Sequence, residues 1–135
     1  MIDFRSALAA GLSAAKAVDL NKREIEDKLK SISEMLYDGT FGKVALVFSE
    51  NSSHREAMMG NPVDNIYVVS QTDTSKGVRI GTIIHNSESG YPLLIEADAS
   101  KFVCNSPSEI EVAFSEIVQI NSVANAIFSL AENKV

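Results

Sequence analysis

Residues 65–104 read NIYVVSQTDTSKGVRIGTIIHNSESGYPLLIEADASKFVC, and this stretch decides the fold class. Apolar β-formers come in short runs, NIYVVSQ, VRIGTIIH, PLLIEA and FVC. Between them stand TDTSKG, NSESGY and DASK, dense in Asp, Ser, Asn and Gly. These residues either accept turn backbone angles or bond to the turn through their side chains. A parallel crossover needs a dozen or more residues, so connections this short join antiparallel neighbours. The spacing predicts a meander. Pro92 opens its strand, a position where a missing N–H is tolerated.

Upstream, KVALVFSE at 43–50 alternates as a further strand, with Val44, Leu46 and Phe48 on one side and Ala45 and Val47 on the other. Apolar residues on both faces predict a central place in the sheet. Residues 50–64 form the longest irregular stretch. Within it Ser53 and Glu56 are spaced to cap one helical turn, and Gly60-Asn61-Pro62 closes it.

Helices flank the sheet. Phe4, Leu8, Gly11, Ala15, Val18, Lys22, Ile25, Leu29, Ile32 and Leu36 follow a 4-3-4-3 spacing, one stripe at the heptad period. Its second half is strongly apolar, and Gly11, Ala15 and Lys22 weaken the first. Two structures fit: a single long helix, or two helices broken near 19–21. Asn21 followed by Glu24 resembles a capping pair and favours the break. Asp38-Gly39 ends the segment, Gly accepting a left-handed cap. Glu24/Lys28 and Glu26/Lys30 are i,i+4 pairs that read as a solvated face. At the other end, Ser106-Pro107-Ser108-Glu109 is a capping box with Pro at the first helical position. Ile110, Phe114 and Ile117 line one face of that helix, and Asn121-Ser122 is placed to cap a separate short helix.

The expectation is one α+β domain over 1–135: helical at about 3–38, sheet at about 43–104, helical at about 107–132. The sheet is an antiparallel meander of four or five strands. It is packed on one face by the N-terminal and C-terminal helices, in the order α-α-β-β-β-β-β-α, because sheet and helix stripes bury each other. The expected core is Leu29, Ile32, Leu36, Leu46, Phe48, Val68, Ile80, Ile95, Phe102, Phe114 and Ile117.

The totals narrow the function classes. The chain has 135 residues, 45% hydrophobic and 22% charged, which is ordinary globular composition. A net charge of −6 opposes phosphate backbones, so nucleic acid is not the expected partner. The basic stretch 22–30 is laced with Glu24, Glu26 and Asp27. No base occurs between Lys101 and Lys134, whereas Glu109, Glu111, Glu116 and Glu132 do, so the outer face of the C-terminal helices is acidic. The first twenty residues carry Asp3, Lys16 and Asp19, unlike a signal peptide. With no long uncharged apolar run, no membrane span is expected and the cytoplasm is the expected location. One cysteine, Cys104, forms no internal disulfide.

Few residues suggest chemistry. His54 and His85 lack the spacing of a metal pair, and no Cys/His set reads as a zinc site. No cofactor fingerprint or phosphate loop occurs. Cys104 alternates with Phe102 as a small buried hydrophobe does, although His85 would activate it if the two met. Glu96 and Asp98 are two apart on a strand, a spacing that suits acid/base work or a hard cation but equally a solvated sheet face. Tyr67, Arg79, His85 and Glu96 alternate against the apolar set and make a mixed polar face, provided no bulge intervenes.

MIDFRSALAAGLSAAK, SGYPLLI and SPSEIEVAF together resemble segments of small bacterial proteins encoded by prophages and other mobile elements. That resemblance covers about a third of the chain and implies an accessory role in a bacterial or phage cytoplasm. Size, acidity and α+β make-up are also similar to type III secretion chaperones, acidic homodimers that hold unfolded effector segments. Those place a helix between the third and fourth strands, for which NSESGY leaves no room. The expected function is a non-catalytic protein–protein interaction module, homodimeric, with Ile25, Leu29 and Ile32 of the stripe and the face of Tyr67, Arg79, His85 and Glu96 as contact surfaces. The alternatives are a chaperone-like or inhibitory binder of another bacterial protein, and a small enzyme using His85/Cys104 or Glu96/Asp98.

Overall fold

The computed structural model describes residues 3–50 and 61–132. The elements run α1 (Phe4–Gly39), β1 (Val44–Glu50), β2 (Val63–Ser70), β3 (Gly77–Asn86), β4 (Gly90–Ala97), β5 (Ser100–Cys104), α2 (Pro107–Ile117) and α3 (Asn121–Ala131). His54 and the Ser53/Glu56 turn lie outside the described residues. The strands form one antiparallel sheet in the order β1-β2-β3-β4-β5, the meander its short turns predict. The fold is α+β, with the N-terminal helical segment one helix and the C-terminal segment two.

α1 is continuous for 36 residues, about 54 Å at 1.5 Å per residue. Asp3 caps it, its side chain accepting from the N–H groups of Arg5 and Ser6. The break favoured near Asn21 is absent. The Asn21 side chain caps nothing locally and instead donates to the carbonyl of Ser89, 3.1 Å away in the β3–β4 turn. The left-handed residues after the helix are Phe41 (φ 56°) and Gly42 (φ 75°), not Gly39. Thr40 ties the helix end to the sheet: its Oγ1 donates to the Leu36 carbonyl and accepts from Val44 N–H.

One face of the sheet is covered. Val44, Leu46 and Phe48 of β1 stand beside Ser70, Val68 and Ile66 of β2, and Ile83, Leu93, Ile95 and Ala97 continue the layer. Ile25, Leu29 and Ile32 of α1 and Ile110, Phe114 and Ile117 of α2 close over it. Phe48 and Phe114 meet edge to face, with centroids 6.4 Å apart. Each such aliphatic side chain contributes about 1.5–3 kcal/mol by leaving water. All eleven expected core residues are buried or packed against the core, with Leu36, Phe48 and Phe102 partly exposed. Lys28 Nζ binds Glu111 Oε1 at 2.8 Å and joins α1 to α2. Glu24 accepts from the Tyr91 hydroxyl. Both halves of the expected Glu24/Lys28 surface pair therefore reach other elements.

β1 is an edge strand, not a central one. Its second apolar row, Ala45 and Val47, belongs to the other face, where Ala45 borders a hollow with Ser33 and Tyr37 of α1. At the other end of the chain, Ser106 and Glu109 form the capping box: Ser106 Oγ accepts from Glu109 N–H, and Glu109 Oε2 accepts from Asn105 N–H. α3 begins without a side-chain cap, its N-cap being Ile120.

Candidate functional site

Three surfaces emerge from this architecture. The first is the N-terminal half of α1. Every residue from 3 to 17 is exposed, and the apolar ones include Phe4, 73% exposed, and Leu12, 63% exposed. Asn21 and Lys22 tie the helix to the β3–β4 turn. There Lys22 Nζ donates to the Ser87 carbonyl, and Gly90, at φ 84°, is close enough that a Cβ would stand 3.0 Å from that of Asn21. Before that clamp, α1 is an arm.

The second surface is a groove of about 670 Å³ beside the C-terminal half of α1. Its floor is the buried set Ile32, Leu46, Val68 and Ile80. Met35, Phe41, Val118 and Ile127 stand along it, and Phe41 is 90% exposed. Thr40, Lys43, Glu111, Ser115 and Glu132 supply its polar rim.

The third is the sheet face opposite α2, buried at its β2 end, at Val63 and Asn65, and more exposed toward Val103 and Lys101 of β5. Register places an apolar row, Ile84, Leu94 and Val103, across β3, β4 and β5, with Val63 of β2 continuing it. A polar row lies next to it: Asn65, Thr82, Glu96 and Lys101, in which Glu96 and Lys101 form a loose ion pair at 3.8 Å. Tyr67 then pairs with Arg79, whose guanidinium donates to Asn65.

The expected contact residues divide between inside and outside. Ile25, Leu29 and Ile32 are core: Ile25 is 3% exposed, and a residue packed on its own sheet is no docking surface. Tyr67, Arg79 and Glu96 do share the sheet face opposite α2. His85 does not join them. A bulge puts two steps of β3, Arg79 to Gly81, against one step of β2, Tyr67 to Ile66. The extra residue, Ile80, turns inward into the core, and alternation beyond it is reversed. His85 therefore lies on the helix-covered side, where its Nε2 donates to Asp64 Oδ2 at 2.8 Å.

The residues that suggested catalysis stay apart. Cys104, whose cross-strand partner is Leu93, bonds to the Glu109 carbonyl at 3.5 Å. Burial, with the charge of Glu109 adding to it, pushes its thiol up to about 11, away from a reactive thiolate. β4 separates it from His85, two strand spacings or about 10 Å, too far for proton transfer. Glu96 and Asp98 do not share a strand face, because β4 ends at Ala97 and Asp98 occupies the following turn at φ 55°. Both border a shallow hollow with Arg79, Thr82 and Ser122. Among the described residues no group of three or more His, Cys, Asp or Glu is placed to hold a metal. None of their helices is long and apolar enough to cross a membrane.

No protein-family model, curated protein or solved structure matches the chain.

Of the three surfaces, the groove is the one the sequence does not announce, whereas the arm is the weak first half of the stripe, longer than a domain of this size covers. The arm's apolar residues were visible, but which half of the stripe would be covered depends on where the β3–β4 turn meets α1. The groove is assembled from α1, β1, β2, β3, α2 and α3, and no local pattern encodes it.

Proposed function

We propose that this chain is a non-catalytic protein–protein interaction module that acts as a homodimer. The observation that carries the reading is the arm. A helix of about 15 residues is marginal in water unless something packs on it, and exposed apolar side chains in a contiguous run mark an interaction site. Here Phe4, Leu8 and Leu12 lie on a continuous helix beyond the clamp at Asn21. The separation of His85, Cys104 and Glu96 argues against a shared catalytic centre. The resemblance to small prophage-encoded and mobile-element-encoded proteins suggests an accessory role in a bacterial or phage cytoplasm. The test is solution mass by light scattering from micromolar to half-millimolar concentration. A dimer that dissociates on dilution supports the reading, and a monomer throughout that range counts against it.

A second reading, a chaperone-like or inhibitory binder of another bacterial protein, draws on the row Ile84, Leu94 and Val103 on the sheet face opposite α2. It expects a specific protein to co-purify from the native cell and to be lost with Leu94→Asp while the mass of the free protein stays unchanged.

A further inference from the structure

The arm's stripe is graded by size. Phe4 and Leu8 stand in its first half, Gly11 and Ala15 in its second, and all four are exposed. Phe4 and Ala15 are placed symmetrically about the same midpoint as Leu8 and Gly11. An antiparallel copy, related by a two-fold axis at that midpoint, therefore sets each large side chain of the seam opposite a small one. Leu12 lies on one flank of this seam, and the exposed Ala7 and Ala14 line the other. Within one copy the smallness of Gly11 serves no contact, since nothing lies within 4 Å of a Cβ built there, and glycine costs a helix about 1 kcal/mol relative to alanine. Asp3 and Asp19 balance Arg5 and Lys16, so no net charge keeps a second arm away. Antiparallel helices also set their dipoles in opposition.

We infer that two copies associate through their arms, laid antiparallel over residues 4–15, with Phe4 of each against Ala15 of the other and Leu8 of each against Gly11. This inference rests on the dimer reading above and specifies its geometry. Direction follows from the stripe. At the heptad spacing it runs on into Ile25, Leu29 and Ile32, which pack into the core over the sheet, with a drift of about 20° per heptad. The arm's apolar face thus looks to the side on which the sheet stands. A parallel partner would bring two sheets to the same place, and an antiparallel partner puts them at opposite ends. Register follows from the clamp. The β3–β4 turn meets α1 at Asn21 and Lys22, so the end of a second arm has to stop short of that level. Sliding the partner one heptad farther would press Phe4 against Lys22 beside the turn and leave Gly11 against Ala15, a thinly packed seam. Each arm is used once, and the pair closes on itself. A seam of about three helical turns is shorter than a stable interface needs, so the association is weak and reversible.

The experiment uses the full chain with single added cysteines in a glutathione redox buffer, the native Cys104 being buried. Ala7→Cys and Ala14→Cys put thiols on one flank of the seam, where they meet each other only between antiparallel copies in this register. Ser13→Cys, on the side of the helix away from the seam, is the control. The expected result is a disulfide-linked dimer from the mixed Ala7→Cys and Ala14→Cys pools, about tenfold more abundant than from either pool alone or from Ser13→Cys. Linkage chiefly within the Ala7→Cys pool or within the Ala14→Cys pool overturns the inference, since it reports a parallel or shifted pair. A dimer by mass that links at none of these sites overturns the arm pairing and leaves the dimer reading standing. A monomer at half-millimolar concentration overturns both. A second measurement needs no thiol. Leu8→Asp, an exposed change checked for retained helix by circular dichroism, is expected to weaken the dimer about tenfold by burying a charge in the seam, whereas Val103→Asp on the sheet leaves it unchanged. The reverse pattern also overturns the inference.

Discussion

The side-chain amide of Asn21 donates to the backbone carbonyl of Ser89, a bond between the middle of the longest helix and the turn that joins β3 to β4. It marks the boundary between the part of α1 that belongs to the core and the part that does not. Gly90 sits directly behind it, in the left-handed region and against the Asn21 Cβ. Gly90→Ala is therefore expected to destabilise the protein by about 1–2 kcal/mol from backbone conformation alone, and by more once the contact is crowded. Asn21→Ala loses one hydrogen bond, about 0.5–1.5 kcal/mol. Urea unfolding of both variants checks the order; equal effects would mean that the turn does not hold the helix.

The two halves of α1 should answer differently to charge. Leu29→Glu places an unpaired carboxylate in the core, where Leu29 is buried, and is expected to cost several kcal/mol or prevent folding. Leu12→Glu changes an exposed arm position and is expected to leave monomer stability within about 0.5 kcal/mol while weakening self-association. Thermal unfolding combined with solution mass separates the two effects. If Leu12→Glu unfolds the protein as Leu29→Glu does, the arm is not an arm.

Gly81 lies where β3 passes closest to β4. A Cβ there would overlap the carbonyl oxygen of Glu96 and press on Ala97, both backbone-fixed neighbours that cannot swing aside. Gly81→Ala is expected to cost about 1–3 kcal/mol by overpacking, or to open the β3–β4 pairing. Gly11→Ala is the contrasting case. Nothing lies within 4 Å of a Cβ built at Gly11, and the change is expected to stabilise the helix by about 1 kcal/mol. Amide hydrogen exchange along β3 and along the arm reads both outcomes.

At alkaline pH two groups, the buried Cys104 and the half-buried Tyr91, should act together. Desolvation raises the Tyr91 phenol to about 12, and its bond to Glu24 adds to the rise; the Cys104 thiol is raised to about 11. Both groups hold their protons longer folded than unfolded. Their contributions are complete below the unfolded pKa values, near 9 for the thiol and 10 for the phenol. They are lost as pH climbs through 11 and 12. Stability measured from pH 8 to 12 should fall, and Tyr91→Phe should flatten the upper part of the fall. At pH 8, a thiol at about 11 instead of 9 has about a hundredfold less thiolate, so native Cys104 should react with a thiol reagent at least that much more slowly than in urea. Equal rates would place the thiol at the surface.

What could be read in advance was whatever is encoded locally. The meander followed from turn residues that act within four positions, and the start of α2 from Ser106, Pro107 and Glu109, which meet only one another. What could not be read was decided across the chain. Ile80 bulges because of how β3 fits β2, and that one residue moved His85 to the opposite face from Arg79. Asn21 resembled a cap because its nearest neighbours allow one, yet its partner is 68 residues away. The alternation of β1, apolar on both sides, reads identically for a central strand and for an edge strand. Of the candidate site, Tyr67, Arg79 and Glu96 were correctly grouped. The arm was legible as the weak first half of a stripe too long for the domain to cover, but the point at which it leaves the core was not.

The clamp also sets an order of events at the ribosome. The apolar stripe of α1 is complete once Leu36 has been made, but Ser89 and Gly90 come much later, and Ile110 and Ile117 of α2 later still. At about 5–20 residues per second, the stripe waits on the order of 3 to 10 seconds for the β3–β4 turn. Through that interval both halves of α1 are equally bare, and a neighbouring nascent chain presents the same bare helix. Only the arrival of the β3–β4 turn distinguishes the half destined for the interior from the half left exposed.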